Sequence, residues 1–169
     1  VSPQEFIEKW HYAGLFGIVF VEEAGLPLPV PGDLFIAAAG FIAHSGKTGG
    51  LQVVAIVTAA TVLGAGILFT LAQRGGRPLL QKIARRFGYT EEREYKVGQW
   101  LARRGASAVV FGRLVPGLRI VMTVVAGSLG MKRATFVVGT FFAGILWGTI
   151  YFGIGWAVGA GWGHLAGVG

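Results

Sequence analysis

"FVEEAGLPLPVPGDLFIAAAG", residues 20–40, sets three carboxylates (Glu22, Glu23, Asp33) and three prolines (Pro27, Pro29, Pro31) between two apolar arms. The prolines remove three amide donors and push each preceding residue toward extended backbone. No continuous helix runs through such a stretch, which predicts helix, break, helix. The arms, 13–21 and 34–43, are too short to cross alone a hydrocarbon core that takes about 20 helical residues. Broken backbone at membrane depth is tolerated where protein or a water-filled cavity satisfies its polar groups. The stretch therefore reads as a re-entrant hairpin with its tip buried in protein.

The rest of the chain supports a membrane setting. Only 14% of the 169 residues are charged and 53% are hydrophobic, against roughly a quarter charged in soluble domains. Leu51 to Gln73 is 23 residues without a charge, and Ala134 to Gly169 is 36 residues without Lys, Arg, Asp or Glu. The apolar runs are internal and no basic leader with a small-residue cleavage site opens the chain, so they read as integral spans rather than a signal peptide. With no Cys, disulfides, thiolate metal sites and cysteine nucleophiles are excluded.

Nine Lys or Arg against three Glu between Arg74 and Arg104 supply six of the seven net positive charges. Concentrated beside apolar spans, they follow the positive-inside pattern and place this segment in the cytoplasm. Within it Leu79, Leu80, Ile83, Ala84 and Phe87 fall near a 3.6-residue period, with Lys82, Arg85 and Arg86 turned away. This predicts a basic amphipathic helix on an anionic lipid surface, ended by Gly88 and followed by a second helix capped at Thr90. No aromatic-interleaved or zinc-finger pattern accompanies the basic residues, so no nucleic-acid partner is expected.

Residues 106–131 repeat the first design, apolar arms around a break at Pro116-Gly117, but the charges here are Arg113 and Arg119. If this segment crossed fully, Lys132 and Arg133 would face the side opposite the basic loop; as a hairpin it returns them to the same side, which positive-inside favours. The expected fold is thus an all-α integral membrane protein, an inverted repeat of re-entrant hairpin plus transmembrane helix. The expected order is an interfacial helix at 2–12, hairpin 13–46, span 51–73, cytoplasmic basic amphipathic helices 77–105, hairpin 106–131 and span 134–156. The Gly-rich end beyond 156 is expected to be loop, because 36 helical residues would measure about 54 Å.

Five ionisable groups facing lipid would cost about 2.5–3.5 kcal/mol each at a helix centre. Glu22, Glu23, Asp33, Arg113 and Arg119 must therefore face a cavity or one another, carboxylates of one hairpin against guanidiniums of the other. An alternative is that they only lock the hairpins together as buried ion pairs. His11, His44 and His164 are too scattered for a metal site, and Trp10, Trp100, Trp147, Trp156 and Trp162 read as interface anchors. Small-residue spacing at Gly144 and Gly148, and at Gly155 and Gly159, fits either internal helix packing or a homo-oligomer.

"EEAGLPLPVPGD" with "AAAG", then "GRLVPGLRIVMTVVAGSLGM", resemble the DedA family, also called the VTT-domain or SNARE-associated Golgi protein family. The resemblance covers roughly residues 13–160 and is strongest at Arg113, Pro116, Arg119 and Ala126-Gly127. It implies a transporter of a phosphate-bearing lipid such as undecaprenyl phosphate, or a phospholipid scramblase, dependent on proton-motive force. It further implies that Glu22 or its neighbour Glu23, Asp33, Arg113 and Arg119 are essential.

On that basis Arg113, Arg119, Pro116, Gly117 and Gly32 are the expected substrate-binding positions, and Glu22, Glu23 and Asp33 the proton-coupling ones. Arginines can make bidentate bonds to a lipid phosphate, joined by amides of the half-helices that start near Asp33 and Leu118. No cofactor or metal is expected. A small-ion or proton-coupled exporter would also fit an inverted repeat. A lipid phosphatase would need a nucleophile or base in the cluster, and no His falls in either hairpin.

Overall fold

The computed structural model describes residues 3–26, 28–44, 46, 49–86, 90–115 and 118–165; the expected binding positions Pro116 and Gly117 lie outside the described residues. Among these residues seven helices follow in order: α1 (Pro3–Glu23), α2 (Gly32–Ala43), α3 (Gly50–Arg86), α4 (Glu91–Arg104), α5 (Ala106–Leu114), α6 (Leu118–Ser128) and α7 (Arg133–Leu165). Among the described residues there is no strand. The two expected breaks fall between Glu23 and Gly32 and between Leu114 and Leu118, where one helix ends before the next begins.

Three boundaries differ from expectation. The first helix is continuous from Pro3 to Glu23, so 2–12 is not a separate interfacial element: nothing between Tyr12 and Ala13 interrupts the amide ladder, and extending a formed helix costs little. The helix begun at Gly50 continues beyond Gln73 through a kink at Gly76 (φ 55°, ψ −155°) into the basic segment. That backbone is open to glycine and not to other residues, and Pro78 then sits in the first turn of the continuation, where its missing N–H forfeits no bond. The Gly-rich end is helical to Leu165, because Gly155 and Gly159 seat closely on Ala37 and Phe41 of α2. Packing there offsets a glycine penalty of about 1 kcal/mol per residue.

The stretches 50–76 and 133–162, in α3 and α7, are long and apolar enough to cross a membrane. Only 44% and 33% of their most apolar windows are covered by protein, unlike the core helix of a soluble domain. Leu63, Ile67 and Leu71 on α3, and Phe141, Phe142, Ile145, Ile150 and Ile154 on α7, are exposed. Such a surface suits hydrocarbon and not water.

The long helices run antiparallel against each other, with Gly144 on Thr58 and Gly148 on Val57 and Val54. Each hairpin straddles this pair. The first packs α1 on α3 and α2 on α7; the second packs α5 on α7 and α6 on α3. Tyr12 bonds Gln52 near the start of α3 while Phe20 and Glu23 meet Gly64 further along, so α1 runs parallel to α3. Gly105 meets Thr135, and Val109 meets Gly139, so α5 runs parallel to α7.

One apolar core gathers Leu15, Val19, Ile36, Val53, Val57 and Trp147 around the first hairpin. The other gathers Phe69, Val109, Met122, Val125 and Phe136 around the second, with Phe69 and Phe136 stacked at 4.3 Å.

A charge cluster between the two breaks

Local structure explains how each charge reaches the centre. α1 ends in a Schellman-type turn, Leu26 N–H to Val21 O at 3.2 Å and Gly25 N–H to Glu22 O at 3.0 Å, with Gly25 at φ 97°. This leaves Glu22 and Glu23 on the last turn of α1. Gly32 and Asp33 open α2, Arg113 lies in the last turn of α5, and Arg119 is the second residue of α6.

Two of these placements oppose the helix dipole: carboxylates at the C-terminus of α1 and a guanidinium at the N-terminus of α6. They neutralise one another. Arg119 Nη2 donates to Glu22 Oε1 at 2.5 Å, and Nη1 donates to Asp33 Oδ1 at 3.4 Å. Arg113 Nη2 donates to Glu23 Oε2 at 2.5 Å, and Nη1 to Thr123 Oγ1 at 2.6 Å. The Thr123 hydroxyl in turn donates to the Arg119 carbonyl at 2.9 Å, so one side chain ties the two arginine positions together.

The cluster is layered. In the inner pair, Arg113 and Glu23, the side chains are 3% and 1% exposed; in the outer group Arg119, Glu22 and Asp33 are 10%, 13% and 19% exposed. The inner guanidinium is therefore closed off, while the outer one keeps a path to the surroundings. Two buried atoms of the cluster remain without hydrogen-bond partners, Glu23 Oε1 and Arg113 Nε. Glu23 Oε1 lies 3.7 Å from Arg119 Nη1, an ion pair too long to be a hydrogen bond. The Gly32 amide donates to Glu22 Oε2 at 2.8 Å.

Three participants were not legible in the sequence. Trp147, expected at the interface, is instead buried, and the Arg119 guanidinium lies 4.5 Å from its ring centroid. A cation over an indole face in a desolvated site is attracted by about 2 kcal/mol. Tyr151, one turn on, turns its hydroxyl to Asp33, and Thr123 bridges as described. Their signal was the i, i+4 spacing of Trp147 and Tyr151 on α7 and of Arg119 and Thr123 on α6. An apolar run around each pair hid it. Trp156 and Trp162 are exposed on α7 as anchors would be.

Residues 30–157 match the VTT domain. An uncharacterized membrane protein of Synechocystis sp. is 31% identical over 158 residues, 92% of this chain and 71% of the relative. Undecaprenyl phosphate transporter A of Staphylococcus aureus is 27% identical over 147 residues, 85% of this chain and 71% of the relative. An alkaline phosphatase-like protein of Lactococcus lactis subsp. cremoris is 26% identical over 168 residues, 96% and 78% of the two chains. No solved structure matches.

Proposed function

Because the chain belongs to the VTT-domain, or DedA, family of membrane proteins, we propose that it carries a phosphate-bearing lipid, such as a polyprenyl phosphate, across a bacterial cytoplasmic membrane. The observation that carries this reading is the cluster of three carboxylates and two guanidiniums held between the hairpin breaks, flanked by two apolar helices of membrane length. A staple alone would need only apolar contact. Arg119, the more accessible guanidinium, is the anion ligand; Gly32, Pro116 and Gly117 are further substrate-binding positions of this reading, and Arg113 holds the hairpins in register.

In this reading each half is a re-entrant hairpin followed by a span, inverted relative to the other. The exchanged packing of the hairpins and the opposite directions of α3 and α7 support it. So does the recurrence of Val-Pro-Gly at 30–32 and 115–117 in the sequence, once at the join between the two apolar arms of each half. A site at a repeat interface suits alternating access. The basic segment around α4 faces the cytoplasm and rests on anionic lipid.

Three carboxylates against two guanidiniums leave one negative charge in excess when all are ionised. Glu22, Glu23 and Asp33 are thus the seat of one exchangeable proton, the physical basis of proton-motive-force dependence. The similarity to undecaprenyl phosphate transporter A supports a lipid phosphate as substrate.

Chemistry on the phosphate is not part of this reading. The groups of the cluster are carboxyl, guanidinium, hydroxyl, indole and phenol, and His44, at the far end of α2 from Asp33, is about 16 Å away along the helix. The test is translocation of a polyprenyl phosphate in proteoliposomes, with phosphate release measured in the same vesicles. Wild type moves the lipid without releasing phosphate, and Arg119→Ala stops the movement. Intact movement in Arg119→Ala, or stoichiometric phosphate release, overturns the proposal.

A further inference from the structure

The Glu22 carboxylate is bound as an anionic ligand would be. Its Oε2 accepts the Gly32 amide at the first turn of α2 at 2.8 Å, and its Oε1 accepts Arg119 Nη2 at 2.5 Å. A helix N-terminal amide and a guanidinium are the donors an oxyanion pocket is made from. A Cβ at position 32 would overlap Oε2, so only glycine lets the oxygen approach the backbone this closely. Beside it Glu23 Oε1, on a residue 2% exposed, has no hydrogen-bond partner, and it lies 3.7 Å from Arg119 Nη1. The cluster holds three carboxylates against two guanidiniums, and Arg119 is the group that Glu22, Glu23 and Asp33 all approach.

We propose that Glu22 is a built-in competitor for the anion pocket, holding the Gly32 amide and Arg119 until a phosphate group displaces it. This rests on the transport reading above and adds to it which donors meet the phosphate and what occupies them beforehand. Arg113 is excluded from that role because Glu23 and Thr123 already engage it at full burial. Every element around Glu22 contributes to the balance: Glu23 on α1, Asp33 on α2, Arg113 on α5, Arg119 on α6 and Tyr151 on α7. A phosphate added to three ionised carboxylates would face only two guanidiniums, so its entry favours the departure of one carboxylate. Glu22 is the one whose two donors the phosphate takes, and without them it faces the negative end of the α1 dipole.

The experiment is a binding titration of the purified full chain in detergent with farnesyl phosphate, inorganic phosphate and farnesol, on wild type, Glu22→Gln, Glu22→Ala and Arg119→Ala. If Glu22 fills the pocket about nine-tenths of the time, the apparent Kd for farnesyl phosphate falls roughly tenfold in Glu22→Gln. Glu22→Ala shifts it the same way, which covers failure of either variant to fold, and farnesol binding does not change. A parallel gain for inorganic phosphate supports a pocket that reads the free anion, and a gain confined to farnesyl phosphate supports one that reads the lipid headgroup. Equal or weaker binding of farnesyl phosphate by both Glu22 variants overturns the competitor and leaves the transport reading standing. No binding of farnesyl phosphate by any form, or binding that survives unchanged in Arg119→Ala, overturns both.

Discussion

Cutting the inner ion pair should cost far more than exposed pairs do, and the magnitude follows from its burial. Arg113 and Glu23 meet at 2.5 Å with side chains 3% and 1% exposed. At an effective dielectric near 20, unit charges about 3 Å apart attract by roughly 5–6 kcal/mol. Glu23→Ala removes that attraction together with the longer contact to Arg119, and leaves Arg113 desolvated with Thr123 as its remaining hydrogen-bond partner. Truncating one side of such a pair typically costs about 3–5 kcal/mol, whereas replacing both members by apolar groups is often neutral. The assay is reversible unfolding by SDS in bicelles on Glu23→Ala, Arg113→Ala and the double variant. Each single variant should lose about 3–5 kcal/mol, and the double variant should lose clearly less than their sum, with a coupling energy of up to about 3 kcal/mol. Single losses below about 1 kcal/mol, or strict additivity, would mean that water reaches the pair and that the inner layer is not the lock.

Two further outcomes follow from the packing. Trp147→Leu, which removes the ring under Arg119, should slow lipid translocation several-fold, and Trp147→Phe should restore part of it because an aromatic face remains; equal rates for the two variants would argue that volume alone matters. Gly40→Ala, whose new methyl would overlap the Phe152 carbonyl, should destabilise by about 1–3 kcal/mol through overpacking. Gly153→Ala, with open space around its Cβ, should instead be neutral or stabilising by up to about 1 kcal/mol, and comparable losses at both sites would refute the α2–α7 packing.

Much of the architecture was legible because it is local. Proline at 27, 29 and 31 breaks a helix wherever the chain goes, and uncharged runs of membrane length need a lipid-like surrounding. The helix boundaries that were missed depended on neighbours. The glycines of α7 look like a loop in one dimension, yet close contact with α2 makes them a helix. Trp147 was misread for a similar reason: on an apolar helix, an interface anchor and a buried platform have the same spelling until the partner face is known.

By itself the sequence determined that two broken segments of opposite charge exist, that each needs company, and that two apolar runs are long enough to cross a membrane. Which carboxylate meets which guanidinium was decided by tertiary structure alone. Glu23 and Arg113 are 90 residues apart, Glu22 and Arg119 97, and their pairing depends on how α1, α2, α5 and α6 straddle the crossing of α3 and α7. Burial, which separates a closed inner pair from a more accessible outer group, is likewise a property of that packing, because the same two charges in water would be equivalent.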